Sequence, residues 1–181
     1  MLAQEALLRL GLDRVLLVPA AVPPHKAVAE EPGAPVRAEL CELAVAGDPR
    51  LAVSLVELER GGTSYTVDTL RALRAAAPGD ELTLILGADM AASLPAWREP
   101  ETVLALARVA VAQRAGTGRE AVLDALAGLA GGRDAVFFDM PLIEISSSAI
   151  RARLGAGEAV RYLVPDAVAA RIGELGLYRH G

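Results

Sequence analysis

The sequence predicts an α/β protein, built as a doubly wound parallel sheet with helices on both faces. Short apolar runs rich in Val, Leu and Ile alternate with longer Ala- and Leu-rich stretches at helical spacing, the pattern of parallel strands buried between helices. Glycine and proline clusters punctuate these stretches where strands and helices should end. The 181 residues, 53% of them apolar, suffice for one sizeable core, so a single domain over residues 1–181 is expected.

Residues 2–10 read as a helix closed by Gly11, and residues 13–19 give a buried strand, Arg14-Val15-Leu16-Leu17-Val18. Residues 20–35 carry four prolines and the cluster Pro23-Pro24-His25-Lys26, so they form a loop. A helix follows over residues 36–47. Residues 51–58 are β-like, Gly61-Gly62 break the run, and Ser64 can cap a helix from Thr66 to about Ala77. Residues 82–86 make the clearest strand, which stops at Gly87-Ala88-Asp89. Trp97 and Pro100 fall in a broken helical region, and residues 108–113 supply the next strand. Helical spacing returns over residues 120–129 until Gly131-Gly132, and residues 135–145 hold one short strand or two, split by Pro141. Ser146-Ser147-Ser148 then opens a helix through Arg153. The last helix begins at Pro165, with Gly176 where its cap belongs.

A net charge of −5 argues against a surface built to neutralise many nucleic-acid phosphates, though a local basic pocket is compatible with it. Cys41, the only cysteine, permits neither an internal disulfide nor a cysteine-cluster zinc site; a buried thiol in its helix and a reducing, cytoplasmic compartment are expected. The apolar runs are interrupted by Arg, Asp or Pro before the ~18 to 20 residues that a membrane span requires.

Ligands of open parallel sheets bind beyond the carboxyl ends of the strands, which directs attention to three places. At Gly87-Ala88-Asp89 a glycine allows close backbone approach and an acid can accept hydrogen bonds from ribose hydroxyls; the same Asp could instead cap a helix. At Ser146-Ser147-Ser148-Ala149-Ile150-Arg151, hydroxyls, helix-start N–H groups and a guanidinium together outline an anion site; a serine cap beside a surface Arg is the plainer alternative. In the loop of residues 19–26, stiff prolines would present Lys26 and His25 to a phosphate, or simply to solvent. Trp97, the one tryptophan, suits stacking on a planar ring as well as burial in the core. His25 and His180 are the only histidines. Neither a nucleophilic Ser-His arrangement nor a Walker-type Gly-Lys-Ser/Thr loop is present.

Taken in order, Pro19-x-x-x-Pro23-Pro24-His25-Lys26, Glu57-x-x-Arg60-x-Gly62-x-Ser64-Tyr65-Thr66-Val67-Asp68-Thr69-Leu70, Gly87-Ala88-Asp89, Trp97, Arg114, Ile145-Ser146-Ser147-Ser148-x-Ile150-Arg151, Tyr162-Leu163-Val164-Pro165 and Gly176-Leu177-Tyr178 resemble the bacterial nicotinate-nucleotide adenylyltransferases. These belong to the nucleotidyltransferase superfamily with a His-x-Gly-His motif and a Rossmann-like fold. The resemblance implies adenylyl transfer from ATP to nicotinate mononucleotide, with Mg2+ bridging the leaving phosphates, in NAD biosynthesis. It further implies that Ser146, Ser147, Ser148 and Arg151 hold the ATP phosphates and that Asp89 meets a ribose. Lys26, Thr66, Trp97 and Arg114 would bind nicotinate mononucleotide: Lys26 its phosphate, Thr66 its carboxylate, Trp97 its ring, and Arg114 a phosphate or ribose. The family has Thr at the position of Ser148, which keeps the hydroxyl.

Family members open with a strand, a Gly-Gly-Thr-Phe-Asp-Pro-like loop and His-x-Gly-His, ahead of the helix that here reads Ala3-Gln4-Glu5-Ala6-Leu7. The resemblance therefore implies that the usual first, central strand and the catalytic histidines are lacking, a piece of roughly 15 to 25 residues, and that Met1 is an internal methionine. Two alternatives stay open at this point: another superfamily enzyme, such as a phosphopantetheine adenylyltransferase, or a chain that binds a nucleotide without turning it over. Nucleic acid and membrane are not expected as partners, and a homo-oligomer is as admissible as a monomer.

Overall fold

A computed structural model of the chain describes residues 1–23, 32–114, 118–141 and 145–178. Helix α1 (Leu2–Leu10) ends as expected at Gly11, whose N–H donates to the Leu7 carbonyl. Strand β1 (Val15–Leu17) is shorter than the predicted run, and α2 (Ala34–Val45) starts earlier than predicted, with Pro35 in its first turn.

Strand β2 (Leu51–Val53) takes only the beginning of the β-like stretch. Contrary to expectation, the rest folds as a short helix, α3 (Val56–Arg60). Its acids Glu57 and Glu59 sit toward the helix start and Arg60 at the end, which complements the helix dipole, and Gly61 N–H closes the turn on the Glu57 carbonyl. Helix α4 (Thr66–Ala76) is N-capped by Tyr65 rather than Ser64, and the Tyr65 side chain makes no capping hydrogen bond. Ser64 is instead buried one residue upstream.

Strand β3 (Thr83–Gly87) runs directly into α5 (Ala88–Ser93), a 3-10 turn (Leu94–Ala96) and α6 (Pro100–Leu106), which resolves the broken helical region. Strand β4 (Arg108–Arg114), helix α7 (Arg119–Leu126), a 3-10 turn (Gly132–Asp134) and β5 (Val136–Met140) follow. Helix α7 thus stops before the predicted residue 129. Helix α8 (Ser147–Gly155) and helix α9 (Asp166–Glu174), N-capped by Pro165, complete the order. Of the predicted stretch 135–145, residues 142–144 lie outside the described residues.

Contacts divide the chain into two compact units, Met1–Val15 with Ser64–Leu142, and Leu16–Thr63 with Ile143–Gly181. In the first, β3, β4 and β5 form a parallel sheet in that order, with Ile85 opposite Ala110 and Ala110 opposite Val136. The period of two along β4 sorts its side chains. Val109 and Val111 enter a cluster with Val67, Leu70, Leu94, Val103, Val122 and Leu126 from the α4–α7 side. Ala110 packs on the opposite face with Ala6 of α1 and Phe138, where small residues let the helix approach closely. The sheet is therefore covered on both faces, as the sequence predicts.

Two glycines make this packing sterically feasible. A Cβ at Gly132 would fall 2.0 Å from the Leu126 carbonyl oxygen, and one at Gly118, where φ is +89°, would fall 2.9 Å from the Ala88 Cβ.

In the second unit β1 pairs with β2, and beyond the pair the Ser54 N–H donates to the Leu17 carbonyl at 2.9 Å. Helix α9 is tied to α2 by Arg171, which donates to both Glu39 carboxylate oxygens at 2.7 and 3.4 Å. Cys41 of α2 is only partly buried, yet desolvation still pushes its thiol pKa up. Among the described residues, no helix is long and apolar enough to cross a membrane.

Candidate active site

Two candidate positions of the first unit, Asp89 and Arg114, lie at the carboxyl ends of adjacent strands. Gly87 lies opposite Ala112, and β4 continues to Arg114, opposite Met140. Asp89, in the first turn of α5, is exposed and makes no hydrogen bond or ion pair among the described residues. It is not a cap, since Gly87 holds that place. Its carboxyl oxygens are acceptors open to ligand hydroxyls. Gly87 has open space where a side chain would stand, so a ligand could approach the backbone there.

Thr66 is the first residue of α4, where the Asp68 and Thr69 N–H groups donate to the Tyr65 carbonyl at 3.1 and 3.2 Å and the positive end of the helix dipole lies. Trp97 follows the 3-10 turn and packs partly buried against the core cluster that contains Leu94. Its indole N–H donates to Ser93 Oγ at 3.0 Å, and the Ser93 hydroxyl donates on to the Met90 carbonyl at 2.8 Å. The ring is thus fixed by one edge.

Above that packed core, charged side chains that no local sequence pattern announces also join the segments bearing Thr66 and Trp97. The Arg98 guanidinium lies 4.8 Å from the centroid of the Tyr65 ring. Arg71 donates to both Glu99 carboxylate oxygens at 3.3 and 2.5 Å and lies 3.5 Å from Asp68. This holds the Glu99 carboxyl below the usual carboxylate range, mainly through the Arg71 hydrogen bond. Glu99 adopts φ +51°, a left-handed conformation uncommon for a non-glycine residue, at the N-cap of α6.

The second unit carries the serine cluster. Ser146 is the N-cap of α8, and its hydroxyl oxygen accepts from the Ala149 N–H at 3.1 Å. Its own hydrogen remains a donor. Ser147 and Ser148 are exposed in the first turn, and Arg151 stands one turn beyond Ser147. No acidic residue occupies that first turn, so the positive end of the helix is not neutralised from within.

Lys26 and His25 lie outside the described residues, but the loop's described ends are fastened. Arg37 donates to the carbonyls of Ala20, Ala21 and Pro32, the last at 3.0 Å. A lone arginine after Pro35 gave no sequence signal for this role. A surface cavity of about 300 Å3, lined by Arg74, Leu82, Leu106 and Arg108, sits at the amino ends of β3 and β4, away from the candidate residues. Among the described residues, no three acidic, His or Cys side chains gather as a metal cluster.

The cytidylyltransferase-like family model matches residues 1–153. A protein of Thermus thermophilus named "probable nicotinate-nucleotide adenylyltransferase" is 47% identical, over 98% of this chain and 88% of its own length. A protein of the same name from Citrifermentans bemidjiense is 40% identical, over 98% and 89%. The fold is similar to that of nicotinic acid mononucleotide adenylyltransferase from Plasmodium falciparum, solved in complex with NaAD, with a TM-score of 0.69 at 16% identity over 92% of this chain and 83% of that one. The chain belongs to the cytidylyltransferase-like family and, within it, to the nicotinate-nucleotide adenylyltransferases.

Proposed function

We propose that the chain transfers the adenylyl group of ATP to nicotinate mononucleotide, releasing nicotinate adenine dinucleotide and pyrophosphate in NAD biosynthesis. The observation that carries this reading is the 47% identity, spread over 98% of the chain, to a relative of that name. The acceptor's phosphate oxygen attacks the α-phosphorus of ATP in line; one P–O bond forms as the bond to the pyrophosphate oxygen breaks. Such chemistry asks for positioning and charge, not for a nucleophilic side chain.

The chain's residues divide these tasks. Ser146, Ser147, Ser148 and Arg151 hold the ATP phosphates, a role supported by the uncompensated helix start of α8. Asp89 accepts from a ribose hydroxyl, supported by its free carboxylate at a strand end. Thr66 and Trp97 bind the pyridine and its carboxylate, Lys26 the acceptor phosphate, and Arg114 a phosphate or ribose. Mg2+ would be held by the ATP phosphates, as suits a hard cation that prefers phosphate oxygens and retained water to an all-protein cage, and would supply charge neutralisation for the leaving pyrophosphate. A cytoplasmic location belongs to the same proposal, supported by the dependence on ATP and the single Cys41.

The second reading is nucleotide binding without turnover. Pyrophosphate release and calorimetry on the same protein separate the two. The first reading expects Mg2+-dependent release with ATP and nicotinate mononucleotide that exceeds release with phosphopantetheine. Faster release with phosphopantetheine would overturn it. Ligand binding with release at background would select the second reading, and absence of both would remove each.

A further inference from the structure

We propose that Arg98 is a specificity-determining residue for the acceptor: its guanidinium distinguishes a pyridine ring bearing a carboxylate from the same ring bearing a neutral amide. This rests on reading Thr66 and Trp97 as the residues that receive the ring.

Arg98 adjoins Trp97 in the chain, and its guanidinium lies 4.8 Å from the ring centroid of Tyr65, the residue immediately before Thr66. It therefore joins both ring-binding segments. Tyr65 is also the N-cap of α4, so a positive side chain stands beside a positive helix end. That arrangement is unfavourable unless negative charge accompanies it.

The negative charge at hand is only partly available to Arg98. Asp68 and Glu99 are each 3.8 Å away, well beyond the ~2.7 to 2.9 Å of a charge-assisted hydrogen bond. Both are shared with Arg71, at 3.5 and 2.5 Å. Two arginines and a helix start thus face two carboxylates, and none of the described residues accepts a hydrogen bond from Arg98. A guanidinium has five N–H donors. The two arginines and two carboxylates balance formally, which leaves the helix start as the surplus positive end. A ring carboxylate entering beside Thr66 would meet that end and the unused guanidinium donors, whereas an amide at the same place brings no charge to be stabilised. Because the Arg98 side chain is 53% exposed, solvent screening keeps the discrimination to about tenfold.

Trp97 is the only tryptophan, so its emission reports ring occupancy without a label. The full chain, Arg98→Gln and Arg98→Lys are titrated with nicotinate mononucleotide and with nicotinamide mononucleotide, which differ only at the group being read. The parent chain should prefer the nicotinate form by about tenfold or more. Arg98→Gln should weaken the nicotinate form by about tenfold and the nicotinamide form by under twofold, and Arg98→Lys should recover part of the loss. Equal losses for both ligands would show that Arg98 merely braces Tyr65 and Glu99, and would overturn the proposal, as would a parent chain that binds both alike. If the parent chain binds neither ligand, the assignment of the acceptor itself falls, and the role of Arg98 with it.

Discussion

The surroundings of Thr66, Asp89 and Trp97 are held by packing, while the serine cluster of α8 is held by hydrogen bonds and a helix dipole. In the first region Val67, Ala91 and Leu94, each next to or near a candidate residue in sequence, are fully buried. In the second, α8 buries no residue at all and begins on a single serine cap. The difference matches the two recognition tasks. A planar ring must be met by shape, and shape is fixed only by a close-packed support. Phosphate groups are met by charge and N–H donors, whose attraction falls off gradually with distance and tolerates a looser frame.

The largest effect is expected where packing carries the site. Leu94→Ala empties a fully buried position in the 3-10 turn that leads to Trp97, and should cost ~2 to 5 kcal/mol in urea unfolding. Trp97 emission should shift in the folded protein at the same time. A loss below ~1 kcal/mol with unchanged emission would break the comparison, because packing would then not be what orients the ring.

The α8 region should respond more gently, and its stability and function should separate. Ser146→Ala removes the bond from the Ala149 N–H and should cost ~1 kcal/mol. Ser146→Asp keeps an N-cap acceptor, so stability should stay close to that of the parent, while a carboxylate now occupies the proposed phosphate position. ATP affinity measured by calorimetry should fall for the Asp variant more than for the Ala variant. The opposite order would mean that α8 acts through its stability rather than its charge.

How much was readable from sequence follows the same division between local and distant causes. The end of α1 at Gly11, the strand over residues 83–87 and the start of α8 at Ser146 were legible, since each is written in a few adjacent residues. The α3 helix was not: the residues from Val56 to Arg60 have a β-like apolar beginning, and only the charge order and the stop at Gly61 turn them helical. Ser64 misled for a related reason, because its type suits a cap while its position is buried. Candidate residues at strand ends could be found from the rule that ligands sit there. Arg98 with Tyr65, Arg71 with Glu99, and Arg37 with the Ala20 and Pro32 carbonyls could not, since these partners are brought together only by the folded chain.

The smallest expected effect lies in the turn between α2 and β2, and it asks whether hydrogen bonds alone hold local structure in the second unit. The Arg50 side chain donates to Asp48 at 3.0 and 2.7 Å, and its backbone N–H donates at 3.0 Å. These bonds, the side-chain ones foremost, lower the Asp48 pKa from 3.8 to about 2. A carboxyl depressed on folding stabilises the native state above its unfolded value, and that contribution is lost as pH falls through the folded value. The window is therefore about pH 4 down to pH 2. A carboxyl-carbon NMR titration should place the Asp48 midpoint near 2, and Arg50→Ala should return it toward 3.8. A midpoint near 3.8 in the parent chain would show that this turn is not held by the pair, and that hydrogen bonding in the second unit organises less of the backbone than α8 and its cap imply.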